Sequence, residues 1–148
     1  MAHFAKINNE NLVLTVLTLN NEDMLDVNGI PQESIGQQYL EKHNNWPASM
    51  WIQTSYNTIN NRHIKGGIPF RGNFAAIGHV WDPTNNIFYP QKPFTSWNLN
   101  LTIADWEAPI SRPTLTQEQI SDVNYLYNYI WNESNQSWDL VSYQKPNK

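Results

Sequence analysis

The chain has 148 residues and a formal charge of −4, from 9 basic and 13 acidic side chains, and it contains no cysteine. That length suits one domain with a core of its own. The missing thiols exclude disulfides, thiolate chemistry and cysteine metal sites, and without clustered Lys and Arg there is no track for nucleic-acid phosphates.

His3 to Ile7 reads as a short strand, Asn8-Asn9-Glu10-Asn11 as a turn, and Leu12 to Leu19 as a second strand. The second strand carries Leu12, Leu14 and Val16 on one face and Val13, Leu17 and Leu19 on the other. Apolar groups on both faces predict a central strand covered on both sides. This run is too short to span a bilayer. Met1 to Lys6 shows no charged region followed by an apolar stretch, so neither a secretory leader nor membrane insertion is expected. Asn20 to Gly29 is turn-rich. Pro31 then suits a helix start, and Ile35, Tyr39 and Leu40 share one face of a helix over 31–43. Gly36 inside it is unfavourable by propensity alone. Trp51 to Thr58 reads as a strand, and Asn60 to Gly72, with three glycines among Gly66, Gly67, Pro69 and Gly72, as an exposed loop.

Three aromatic hairpins follow. Trp81-Asp82-Pro83-Thr84-Asn85-Asn86-Ile87-Phe88 sets an aromatic at each end of a turn-forming segment, and Trp131-Asn132-Glu133-Ser134-Asn135-Gln136-Ser137-Trp138 repeats the design. Trp97 to Trp106 is a longer variant. Aromatics favour pleated surface, and Asn, Asp and Pro favour the reversals between strands. Pro90 and Pro93 exclude a central strand between the hairpins. Thr116 with Gln119 matches a capping box, so a helical turn starts there, with Ile120 and Val123 facing inward. From Val123 the period becomes two: Tyr125, Tyr127, Tyr129 and Trp131 share a face, Leu126 and Ile130 lie opposite, and Ser137 to Tyr143 returns. The fold class is therefore mainly β (α+β): antiparallel hairpins in a sheet or small sandwich with one packed helix near 31–43. Residues 1–113 are expected to form a compact β domain, and 114–148 a C-terminal aromatic hairpin packed on it or on a neighbouring subunit.

Met1 to Lys6, Trp51-Ile52-Gln53-Thr54-Ser55-Tyr56-Asn57 and Arg71-Gly72-Asn73-Phe74-Ala75-Ala76-Ile77-Gly78 resemble small virion structural proteins of tailed phages, those of marine phages and cyanophages among them. The likeness continues through Trp81-Asp82, Phe88, Pro90, Lys92-Pro93-Phe94, Ser96-Trp97, Leu99, Trp106-Glu107-Ala108-Pro109 and Pro113, in order over roughly residues 1–113. Similar proteins tend to carry Gly in place of Ala76 and Tyr in place of Trp81, and the segment from Thr116 onward is an added or divergent hairpin. The resemblance implies an accessory component of the phage particle, a head decoration or a tail- or fibre-associated piece, made in the host cytoplasm and located in the virion. It supplies no catalytic residues.

The chemistry-bearing residues agree with a non-enzymatic role. Asp23, Asp26 and Asn28-Gly29 hint at a calcium loop, but the spacing fails the EF-hand pattern. His3, His43, His63 and His79 lack zinc spacing. Most carboxylates stand beside Asn or Pro in predicted turns, where they accept backbone hydrogen bonds. No Gly-x-Ser-x-Gly elbow occurs, and Gly66 to Gly72 lacks the Lys-Ser/Thr of a phosphate loop. No cofactor or metal is expected. Trp51, Trp81 and Trp97 are assigned to the core. Tyr125, Tyr127, Tyr129, Trp131 and Trp138 are the candidates for contact, with other virion proteins or further copies of this chain as expected partners. A host-surface glycan stacked on the same aromatic face is the rival reading, since sugar rings stack on exposed Trp and Tyr.

Overall fold

A computed structural model describes residues 1–147. The chain is mainly β, built of antiparallel hairpins. Its elements are β1 (Ala2–Ile7), β2 (Val13–Leu19), α1 (Glu33–Asn44), β3 (Trp51–Thr54), β4 (Thr58–Ile59), β5 (Arg62–His63), β6 (Val80–Asp82), β7 (Ile87–Tyr89), β8 (Asn98–Asn100), β9 (Asp105–Glu107), α2 (Gln117–Ser121), β10 (Tyr125–Asn132) and β11 (Ser137–Gln144). They gather into two compact units: residues 1–91 with 100–105, and residues 92–99 with 106 onward. The chain crosses between the units at the β8–β9 hairpin, whose tip belongs to the first unit, so the units divide elsewhere than at residue 113.

In the first unit a three-stranded antiparallel sheet runs β2-β1-β3. The sheet centre is thus β1, and the doubly apolar β2 stands at the edge, contrary to the sequence expectation. Its two-faced apolar pattern comes instead from a β-bulge. Lys6 faces Thr15 but Ile7 faces Val13, so Leu14 is an extra residue, 41% exposed. One extra residue transfers the rest of a strand to the opposite face. Val13 therefore joins Val16 beneath Ala5, Ile7, Ile52, Ala75, Trp81 and Phe88, while Leu17 and Leu19 join Ala2, Phe4, Met24, Leu40 and Trp51 on the other side. Both faces of β1 are consequently covered, and Phe4 and Ala5 are fully buried.

Helix α1 covers the Phe4 face. Gly36, adverse by propensity, is what brings the helix close: a Cβ there would lie 2.6 Å from Phe4 Cζ and 3.2 Å from Leu19 Cδ2. Asn45 ends the helix with φ 51, its N–H donating to the Glu41 carbonyl at 3.0 Å. Five of the eight described non-glycine residues with positive φ are asparagines (Asn11, Asn45, Asn60, Asn61 and Asn86), the residue type that tolerates the left-handed region best after glycine.

The segment 60–72 is largely the exposed loop expected, with a short hairpin at its start and Arg71 anchored at its end. Asn60 and Asn61, with φ 46 and 57, form a two-residue turn between β4 and β5, as a tight hairpin requires. Arg71 is no free cation. Its guanidinium grips Glu33 of α1 twice, at 2.6 and 2.8 Å, and donates to the Gln53 carbonyl at 2.9 Å, tying helix to sheet. Beside it, the buried Asn73 side chain donates to the carbonyls of Phe88 (2.8 Å) and Ala104 (2.9 Å) and accepts from Asn60 N–H (2.8 Å). A single amide thus satisfies three backbone groups from three separate stretches of chain.

Candidate functional site

One turn design underlies all three aromatic hairpins. The loops of β6–β7, β8–β9 and β10–β11 span residues 83–86, 101–104 and 133–136. In each, the last strand residue before the loop offers a side-chain oxygen to the loop backbone. Asp82 accepts from Thr84 and Asn85 at 3.0 and 3.1 Å, Asn100 from Thr102 at 2.9 Å, and Asn132 from Asn135 at 3.1 Å. The last loop residue then turns left-handed: φ is 57 at Asn86, 49 at Ala104 and 48 at Gln136. An Asx turn followed by a left-handed residue reverses the chain and lets the strands re-pair. It sets Trp81 opposite Phe88 and Trp131 opposite Trp138, with ring centroids 4.7 and 5.2 Å apart.

The second pair anchors the second unit. Trp97 packs edge-on to Trp131 at 6.1 Å and tilted to Trp138 at 6.0 Å, with Phe94 a further 5.4 Å from Trp97. Glu133 in the turn fixes this cluster. Its carboxylate accepts from the Trp131 indole at 2.7 Å, from Ser96 Oγ at 2.7 Å and from Ser96 N–H at 3.0 Å. These donors, the indole first and Ser96 next, hold the Glu133 carboxyl below its ordinary pKa. Asp122, at the other end of the hairpin, is lowered likewise by the N–H groups of Asn124 and Tyr125. Its second oxygen accepts from the Tyr127 hydroxyl at 3.2 Å.

The five sequence candidates are therefore graded along the hairpin. Tyr125 is 43% exposed, Tyr127 and Tyr129 are half-buried, Trp131 is buried and Trp138 half-buried, its indole donating to the Ile110 carbonyl at 2.8 Å. Their cross-strand neighbours on the same face are Gln144, Ser142, Leu140 and Trp138. The opposite face is also open: Leu126 is 58% exposed and its partner Tyr143 54%. Ile120 and Val123, expected inside, are 61% and 81% exposed, because a five-residue α2 is too short to close over them. Among the described residues, Trp131 is the unit's one buried apolar side chain.

The aromatic cluster also lines a cavity of about 420 Å³, walled by Trp97, Trp106, Trp138, Glu107, Ser111 and Arg112. The Arg112 guanidinium stands 5.7 Å from the Trp138 ring centroid and donates to the Asn128 side chain. Lys92 Nζ stands 5.4 Å from the Trp106 centroid. The Trp97 indole N–H is buried without an acceptor. Sequence reasoning assigned Trp97 to the core, marked Trp106 as a hairpin end, named Glu107 only within the phage-like stretch and left Arg112 out. No periodicity connects a hairpin to the irregular stretch after it, so their meeting depends on the folded chain.

Among the described residues no three His, Asp or Glu side chains gather into a possible metal-binding group, and no helix is long and apolar enough to cross a membrane. The Asp26 carboxylate is occupied by the N–H groups of Asn28 (2.8 Å) and Ile30 (3.0 Å). In comparisons with known proteins, no family model, curated protein or solved structure matches this chain.

Proposed function

We propose that this chain is an accessory structural protein of a tailed-phage particle, attached to other virion proteins through the β10–β11 hairpin. The phage setting rests on the resemblance of residues 1–113. The attachment surface rests on one observation, the nakedness of the hairpin. Tyr125, Leu126, Ile130, Leu140 and Tyr143 are each 43–58% exposed, on both faces of a two-stranded sheet. An isolated two-stranded hairpin is marginal in water and gains stability when a face is covered. Contiguous exposed apolar surface is also the ordinary mark of a protein contact. A broad depression of about 870 Å³ at the hairpin's open end, between Val123, Tyr125 and Lys145, offers room for a partner's side chain.

The hairpin is set by its turn and by Glu133 before any partner arrives, which keeps the ordering cost of docking low. Repetition around a particle multiplies modest single contacts. Further copies of the same chain are the natural neighbours in such a lattice. Mass spectrometry of gradient-purified particles tests the setting: the protein is expected at a fixed copy number relative to the major capsid protein, and absence from intact particles rejects it. Tyr125→Ala combined with Tyr127→Ala tests the surface. Aromatic anchors carry much of an interface's energy, so occupancy at limiting protein is expected to fall by about tenfold or more. Wild-type occupancy with that double variant would move the contact elsewhere on the molecule.

A further inference from the structure

We infer that the cavity between Trp97, Trp106 and Trp138 is a saccharide site, taking a pyranose ring that is neutral or carries a carboxylate. Apart from Trp138 on β11, the cavity residues lie outside the β10–β11 hairpin, so the inference is separate from particle assembly.

Two features select this ligand class. The first is the wall: three indoles line a cavity of about 420 Å³, within the range of about 300–1,000 Å³ usual for small-ligand sites. Indole faces suit the C–H face of a sugar ring, which is apolar over one side and polar at its rim. The second is the rim. Glu107 and Arg112 are both exposed at the cavity, with Ser111 between them and Pro113 beyond. A carboxylate accepts from vicinal hydroxyls, and a guanidinium donates to hydroxyl, ring or carboxylate oxygens. A purely apolar ligand would leave these groups unused.

Charge excludes the other usual guest of an indole cluster. Aromatic cages hold organic cations by their ring faces. Here Lys92 and Arg112 already stand 5.4 and 5.7 Å from the centroids of Trp106 and Trp138 and outnumber the Glu107 carboxylate, so a cationic guest meets a net positive charge. The same charges favour a uronate over a neutral hexose at low salt.

The test uses the full-length protein on an array of short neutral and uronate-containing oligosaccharides, followed by tryptophan-fluorescence titration with the best responder. Saturable binding with a change in indole emission is expected. Glu107→Gln, an exposed substitution that leaves the tryptophans in place, is expected to weaken binding about tenfold, as loss of a hydrogen bond to a charged group does. Trp106→Ala is expected to abolish it. No response on the array, or full-strength binding by Glu107→Gln, overturns the assignment. The measurement is made on free protein, so it fails or succeeds separately from particle attachment.

Discussion

Single residues decide more of this fold than their types suggest. Gly36 is the clearest case. In an exposed helix, Gly→Ala is stabilising by up to about 1 kcal/mol. Here the added methyl would sit 2.6 Å from Phe4 Cζ, and Phe4 is fully buried in the face that α1 covers. Overpacking a close-packed core costs about 1–3 kcal/mol, so Gly36→Ala is expected to be net destabilising. A lowered midpoint in urea would show this, and an unchanged or raised one would mean that Phe4 yields without cost. Asn73 is the polar counterpart. Asn73→Asp replaces the amide N–H₂ by an oxygen facing the carbonyls of Phe88 and Ala104, in a residue 6% exposed. It strands two buried acceptors and adds a charge against them, so a loss of at least about 3 kcal/mol is expected. Thermal denaturation of the variant near neutral pH measures it, and a near-native melting temperature would show that water or rearrangement replaces the amide.

Hairpins are the elements this sequence announces best. The pairs Trp81/Phe88 and Trp131/Trp138 are seven residues apart with Asp or Asn just inside the first aromatic, and the structure sets the members of each pair directly across the hairpin from one another. Helix α1 was legible from the Ile35, Tyr39, Leu40 stripe, although it starts at Glu33, so Pro31 precedes the first turn it was expected to open. What failed needed information outside the local pattern. The two-faced apolar pattern of β2 reflects a bulge at Leu14, which alternation reads as a central strand. The order within 60–72 turned on Arg71 reaching Glu33, 38 residues away. The β10–β11 turn carries a pH consequence of its own. Glu133 has its pKa depressed by its indole and Ser96 donors. A carboxyl lowered on folding stabilises the folded state at every pH above its unfolded value, and that stabilisation is lost as pH falls through the folded value. The second unit is therefore expected to loosen on acidification below the ordinary carboxylate value of 4.5, seen as a change in tryptophan emission. Glu133→Gln should flatten that acid step while leaving the neutral spectrum similar. An identical acid step in the variant would assign it to other carboxyls, Asp122 first.

At the scale of the whole chain, the division into two units explains why so little of the candidate site was readable. Apolar side chains of the first unit are called inward by both faces of β1, and fifteen of the sixteen buried apolar residues lie there. Among the described residues, the second unit, about 50 residues long, buries one apolar side chain, Trp131, and a domain of that size is marginal without a staple or a partner. Sequence patterning could place Tyr125, Tyr127 and Tyr129 on one strand face. It could not show that burial rises from Tyr125 toward the turn, because that gradient comes from Trp97 and Glu133 meeting at one end only. The same gradient has a dynamic consequence. Backbone protection from hydrogen exchange follows the free energy of local opening, which tracks buried apolar contact. In the free protein, amides of β10 and β11 near Tyr125 and Gln144 are expected to exchange faster than those beside Trp131 and Trp138, and all of them faster than the amides of β1. On assembled particles, covering of the hairpin should slow the β10–β11 amides while leaving β1 unchanged. Exchange measured by mass spectrometry on both states distinguishes the cases: hairpin protection equal to that of β1 in the free protein would mean the second unit is stable uncovered, and the strongest argument for a partner at this surface would fall.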